Sequence, residues 1–311
     1  MSIAFLFPGQ GSQSPGMLHQ LLDHPVVDRT LDEVSSILRS DARGFDSEEA
    51  LASTVSVQLA LLTSGVATAR ALIEKGAEPS VVCGLSVGAF AAAVVADVLS
   101  LEDAVELVKL RSEKMVELYP TGYGLSAIIG LTESQVLSIV QAVATDQEPV
   151  FIANINAPLQ TVIAGSDEGM EGALEQARRQ GARKAERLQV SVPSHCPLLQ
   201  PVADLLQHRF SSLRLRKPRL TYIGNVNARA MRTPELIASD LANNIAHGVR
   251  WHDATTVARE LGCNLFLEMP PGHVLTDLAN ESLPGVNALA VEKDILPRVL
   301  RLAQQEIAAG G

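Results

Sequence analysis

Gly84-Leu85-Ser86-Val87-Gly88 is the stretch of this chain whose residue types and spacing carry the most chemistry. A serine between two glycines, with the apolar Ser80-Val81-Val82-Cys83 before it and an alanine-rich run to Ala96 after it, fits the strand, tight turn and helix that expose a nucleophilic hydroxyl. The glycines permit the turn, and the helix launched there directs its free N–H groups, that of Val87 among them, toward the space Ser86 faces. A second glycine-rich loop, Phe7-Pro8-Gly9-Gln10-Gly11-Ser12-Gln13, follows the short apolar strand Ile3 to Phe7. It matches neither common phosphate-cradle pattern and has no lysine in reach. It can instead supply the Gln10 N–H as a second donor beside that of Val87. Two such donors stabilise a tetrahedral oxyanion, each by about 3 kcal/mol.

A serine nucleophile requires a base, and histidines stand at 19, 24, 195, 208, 247, 252 and 273. Spacing does not choose among them. His195 lies in the proline-bracketed Ser191-Val192-Pro193-Ser194-His195-Cys196-Pro197, at a junction between two textures of sequence, and catalytic side chains favour such loops. Cys196 beside it has no surroundings that would lower its pKa. Arg111 is the anomaly of a helical segment, Leu101 to Leu118: it falls on the stripe of Ala104, Val108, Met115 and Leu118, while the other charged residues face elsewhere. A cation on a buried stripe needs a partner. Either it meets a structural acid or snorkels to the rim, or it grips the carboxylate of a substrate with two parallel hydrogen bonds.

The elements that must position these groups fall into two kinds. Buried strands at Ile3 to Phe7 and Ser80 to Cys83, a helix over Leu51 to Glu74 and the helix after Gly88 predict an α/β layer. Between Tyr123 and Gln189 the order becomes strand, helix, strand, strand, helix, strand, the ferredoxin-like plan. We expect a small domain over 123–190 inserted into a large one made of 1–122 and 191–311.

With 311 residues, a formal charge of −10 and 47% hydrophobic residues, the composition excludes a disordered chain and a nucleic-acid binder that relies on overall basic charge. The longest apolar run, Val87 to Ala96, is shorter than the roughly 20 residues of a membrane span. Three separated cysteines make neither a disulfide framework nor a metal site, and suit a reducing cytoplasm.

FPGQGSQ at 7–13, GLSVG at 84–88, the arginine of KLRSEKM and SVPSHC at 191–196, in that order, resemble the malonyl-CoA:acyl carrier protein transacylases over nearly the whole chain. The resemblance implies an α/β-hydrolase-like large domain, a ferredoxin-like small domain and an active site in the cleft between them. By motif position it implies Ser86 as nucleophile, His195 as base, Arg111 as carboxylate clamp and Gln10 and Val87 as oxyanion donors. It also implies a histidine oriented by a backbone carbonyl, which we place at Arg250 within His247-Gly248-Val249-Arg250-Trp251. Leu85 and Ala89 stand where that family commonly has His and Glu, and the GLSVGAF form looks like the epsilon subunit of malonate decarboxylase. The expected substrate is malonyl-CoA, the expected partner an acyl carrier protein with its prosthetic thiol, and other decarboxylase subunits are further candidate partners. No bound cofactor or metal is expected. A transacylase of fatty-acid or polyketide synthesis, a serine thioesterase and a non-catalytic assembly subunit are the alternatives. Between Arg178 and Arg219 ten basic residues face two acidic ones, a net of +8 that leaves −18 on the rest of the chain. That segment is either a solvated, ion-paired face or a guide for CoA phosphates and an acidic carrier.

Overall fold

Strand β1 (Ser2–Phe7) is buried on both faces from Ile3 onward in the computed structural model, which describes residues 2–310. The chain continues through α1 (Pro25–Leu38), α2 (Thr54–Glu74), β2 (Val81–Gly84), α3 (Gly88–Val95) and α4 (Leu101–Leu118). A second unit follows: β3 (Tyr123–Ile129), α5 (Glu133–Val143), β4 (Val150–Ala157), β5 (Gln160–Ser166), α6 (Asp167–Arg179) and β6 (Lys184–Arg187). The chain returns by α7 (Gln200–Phe210), β7 (Thr221–Ile223), β8 (Ala230–Met231), α8 (Pro234–Asn243), α9 (Trp251–Glu260), β9 (Cys263–Glu268), α10 (Val274–Ser282), β10 (Asn287–Ala290) and α11 (Leu296–Gly310).

The large sheet has the order β10-β9-β1-β2-β7-β8, parallel except where β8 pairs with β7. Helices cover both faces, so its central strands are apolar throughout. Ile3, Phe5 and Phe7 enter one core, against α1 to α4, while Ala4 and Leu6 enter the other with Trp251, Leu275 and Leu278. α2 is apolar nearly all round, as a helix enclosed by protein must be. It has the length and hydropathy of a membrane span, which the Val87 to Ala96 run lacked, but 83% of its most apolar window is buried against the fold. The helix expected from Leu51 begins at Thr54, after a short 3-10 turn over Ala50–Ala52.

The second sheet, in the order β4-β5-β3-β6 and antiparallel throughout, is the ferredoxin-like arrangement. Its strands alternate: Ile163 faces α5 and α6, whereas Val162 and Ala164 on either side of it join the main core. The small sheet therefore packs on the large domain through β3, β4 and β5, while Lys184 and Glu186 of β6 on the same face stay exposed. The fold is an α/β-hydrolase-like layer carrying a ferredoxin-like unit. In α4 the expected boundaries hold, but Leu118, placed on the buried stripe, is 42% exposed because the stripe leaves the protein at the last turn.

α3 lies so close to β1 and β2 that its first residue cannot carry a side chain. A Cβ on Gly88 would sit 2.2 Å from the Phe7 carbonyl oxygen, and one on Gly84 would sit 2.2 Å from Gly88 backbone. Both neighbours are backbone, so relief requires moving α3. Gly88→Ala should lower stability by about 1–3 kcal/mol, the cost of over-packing a core, read as the urea midpoint. Gly172→Ala, in α6 with nothing near its Cβ position, should leave the midpoint unchanged or raise it by up to about 1 kcal/mol.

Candidate active site

The carboxyl ends of β1, β2 and β7 converge on one cleft, where ligands of open α/β sheets bind. β2 ends in the turn that carries Ser86, which takes φ 55°, a left-handed conformation unusual for a residue with a Cβ. His195, the other side chain of the pair, sits at φ 66°. The two meet: His195 Nε2 lies 2.8 Å from Ser86 Oγ.

The histidine is held from behind by the end of α8. Its backbone N–H donates to Ile245 O at 2.7 Å, and its ring Nδ1 lies 2.5 Å from Asn244 O. Asn244 caps the C-terminus of α8, where carbonyls lack helical partners and the helix dipole is negative. A carbonyl accepts only, so Nδ1 carries the proton and Nε2 is the free base facing Ser86. The orienting carbonyl expected at Arg250 is therefore that of Asn244. Arg250 gives its backbone N–H to Asn225 O and its guanidinium to Glu133 and Asp253, because it begins α9 and faces away from the cleft. Burial first, then the charge of Arg111, push the His195 pKa down to about 3, against a backbone hydrogen bond that raises it. The imidazole is neutral, and so a competent base, at ordinary pH.

Arg111 comes from α4 with 1% exposure. Its Nη2 donates to Ser86 Oγ at 3.0 Å, its Nη1 donates to Gln58 Oε1 of α2, and its Nε has no partner. No carboxylate pairs with it among the described residues, and burial lowers its pKa to about 9, which leaves it cationic at neutral pH. It is a buried positive charge with donor capacity unspent. Gln58 also reaches Gln10 Oε1 at 3.4 Å, linking the arginine to the β1 loop.

Gly9, Gln10, Leu85, Ser86, Val87 and His195 border a cavity of about 40 Å³, which Leu125, Asn154 and Val190 close from the side of the small sheet. Neither the Gln10 nor the Val87 N–H has an acceptor among the described residues. A groove of about 390 Å³ lined by Gln10, Gln13, Thr54, Arg187, Gln189 and Val190 adjoins this cavity through Gln10 and Val190. Cys196 is buried, donates to Pro193 O and has its thiol pushed up to about 12 by burial, so it is no nucleophile.

Four participating residues went unread in the sequence. Gln58 had a signal, a polar side chain amid the apolar Val57 to Leu62. Asn225 accepts the Ser86 N–H and donates to Gly84 O, both at 2.9 Å, and Asp240 holds Asn225; their signal was a Gly-Asn step at the end of a short apolar strand. Asn244 acts through its backbone and offered none. Of the ten basic residues between Arg178 and Arg219, seven pair with nearby acids, among them Arg187 with Asp167 and both Arg216 and Arg219 with Asp97. Arg183, Arg214 and Lys217 have no ion pair among the described residues.

Two outcomes are expected. In the nitrogen NMR spectrum the His195 ring stays neutral from pH 8 to 5, and in Arg111→Leu its midpoint moves upward, because a positive neighbour is removed while burial is kept. Asn244→Ala should keep Ser86 labelling by a fluorophosphonate within about threefold, since a backbone carbonyl orients His195. It should also not lose stability, since both polar atoms of the buried Asn244 amide are unpartnered.

A family model described as "Acyl transferase domain" matches residues 4–301. The malonyl CoA-acyl carrier protein transacylase of Salmonella typhimurium is 35% identical over 296 residues, covering 93% of this chain and 96% of that one. The enzyme of the same name from Bacillus subtilis is 34% identical over 98% of this chain and 97% of its own. Among solved structures, the malonyl CoA-acyl carrier protein transacylase of Coxiella burnetii superposes with a TM-score of 0.92 at 36% identity, covering 98% of each chain. A malonyl-transacylase in complex with a type II PKS acyl-carrier protein gives 0.91 at 35% identity, covering 98% of this chain and 99% of that one. The Ser86 turn, the matching fold and a family match across nearly the whole length lead to one conclusion: this chain belongs to the acyl transferase domain family.

Proposed function

We propose that this acyltransferase moves a malonyl group from malonyl-CoA, through an acyl-Ser86 intermediate, to the thiol of an acyl carrier protein. The observation that carries the reading is the buried Arg111 without a carboxylate partner, 3.0 Å from the nucleophile. An acyl group that ends in a carboxylate supplies the missing charge, and a neutral acyl group does not. In acylation His195 Nε2 takes the Ser86 proton, Oγ attacks the thioester carbon, and the N–H groups of Gln10 and Val87 face the oxygen on which charge develops. The imidazolium, stabilised by the Asn244 carbonyl, returns the proton to the departing CoA sulfur. The second half repeats these steps with a carrier thiol as nucleophile and Ser86 as leaving group. We assign the extended arm that carries either thiol to the groove of about 390 Å³ that meets the cavity at Gln10 and Val190.

The finer reading concerns the carrier. The names of the relatives speak of an acyl carrier protein, and one neighbour's partner belongs to polyketide synthesis. Leu85, which borders the cavity, and the buried Ala89 belong to the GLSVGAF form, and on them we assign the carrier subunit of malonate decarboxylase. Arg183, Arg214 and Lys217 are the cations of the basic segment left free to attract that acidic partner.

Malonyl-CoA should leave one malonyl group on wild-type protein and none on Ser86→Ala, by intact mass. Arg111→Ala should cost malonyl transfer about 2–5 kcal/mol in kcat/KM and acetyl transfer little; equal losses would refute the clamp. Offered both carriers, the protein should load one bearing a phosphoribosyl-dephospho-CoA arm faster than one bearing phosphopantetheine. The reverse order returns it to fatty-acid or polyketide synthesis.

A further inference from the structure

The turn that carries Ser86 is not held by its own hydrogen bonds alone. With φ at 55°, Ser86 points its N–H out of the turn, and the Asn225 side chain receives it at 2.9 Å while donating back to Gly84 O at 2.9 Å. Both partners are backbone groups of fixed polarity, so the amide has one possible orientation: Oδ1 on Ser86, Nδ2 on Gly84. Asn225, 3% exposed and just beyond β7, thus bridges the turn as the next rung of the β2–β7 ladder would, using a side chain.

Asn225 is itself clamped. Its N–H donates to both carboxylate oxygens of Asp240 at 2.9 and 3.0 Å, the Val226 N–H donates to one of them at 3.1 Å, and the Tyr222 hydroxyl donates to the other at 3.1 Å. Gly224 permits this approach, since a Cβ there would stand 2.8 Å from Asp240 Oδ1. Asp240 lies on α8, and one turn later the same helix ends at Asn244, whose carbonyl holds the His195 ring. A helical turn rises about 5.4 Å and scarcely stretches. The nucleophile and its base, 109 residues apart in sequence, are therefore referred to one short rod.

We infer that Asn225 and Asp240 are positioning residues for acyl transfer: by tying the Ser86 turn to the helix that orients His195, they set the 2.8 Å contact between Oγ and Nε2. This rests on Ser86 being the nucleophile and not on the acyl group it takes. A misplacement of about 1 Å costs on the order of 100-fold in rate.

The test measures Ser86 labelling by a fluorophosphonate, which carries no acyl donor, alongside malonyl-Ser86 formation in a single turnover by intact mass. Asn225→Ala should slow both by about 10- to 100-fold. In a Ser86→Ala background, the same change should leave malonyl-CoA affinity within about threefold, because Arg111 is untouched. Asn225→Asp adds a readout that a structural defect would not move. At pH 7 its second oxygen opposes Gly84 O and labelling is slow; at pH 5 the protonated acid donates to that oxygen and labelling recovers. Wild-type labelling stays flat over this range because His195 remains neutral. Labelling of Asn225→Ala at the wild-type rate, or an Asn225→Asp rate that does not rise as the pH falls, overturns the inference. Wild-type protein that reacts with the fluorophosphonate and not with malonyl-CoA overturns the malonyl reading instead.

Discussion

A guanidinium buried without an acid is the feature around which this molecule is arranged. Removing such a charge from water costs several kcal/mol, and a native carboxylate partner would offset much of it. Arg111 has instead a glutamine oxygen, a serine hydroxyl and one nitrogen with no acceptor. Arg111 is enclosed there because α4 packs its buried stripe against α2, which is surrounded by protein on nearly all sides. Burial first, and this charge second, depress the His195 pKa and keep the imidazole neutral. One unpaired cation thus acts on both members of the pair: it donates to the Ser86 hydroxyl and adds to the burial that keeps the His195 ring neutral.

Strain is concentrated in the same place. Ser86 and His195 are two of the five non-glycine residues with positive φ among those described, and each is over-determined by neighbours. The turn is compressed between β1 and α3 by two glycines that admit no side chain. The histidine loop docks on the free carbonyls at the end of α8, which serves as both anchor and dipole. The small sheet lends Leu125 and Asn154, and the segment that follows β6 delivers Val190, so the cavity closes where the two sheets meet.

Much of this was written locally. The Ser86 turn is a five-residue pattern with a strand before it and a helix after it, and α4 ran over the residues that its periodicity marked. The ferredoxin-like unit followed from element order, since six short elements in that sequence have few ways to pair. Arg111 stood out because one cation interrupted an apolar stripe. The rest depended on contacts between distant segments. Asn225 and Asp240 look like ordinary loop and helix residues until β7 is laid beside β2. The basic segment also read differently once folded: acids from α4, from the loop after α3 and from α6 itself lie beside most of its cations, and exposed pairs of that kind add little.

From residue order alone came the chemistry on offer: a serine on a tight turn, a histidine in a proline-bracketed loop, an arginine on a buried face and glycines at the ends of short strands. These are set by side-chain type and by periodicities of two and 3.6, which act over a few residues. Which carbonyl faces His195, which side chains brace Ser86 and whether an acid neutralises Arg111 were decided by tertiary structure. The carbonyl shows why: every residue has one, so no residue type marks the acceptor. Only the packing of α8 against the histidine loop selects Asn244 over Arg250, six positions along the chain.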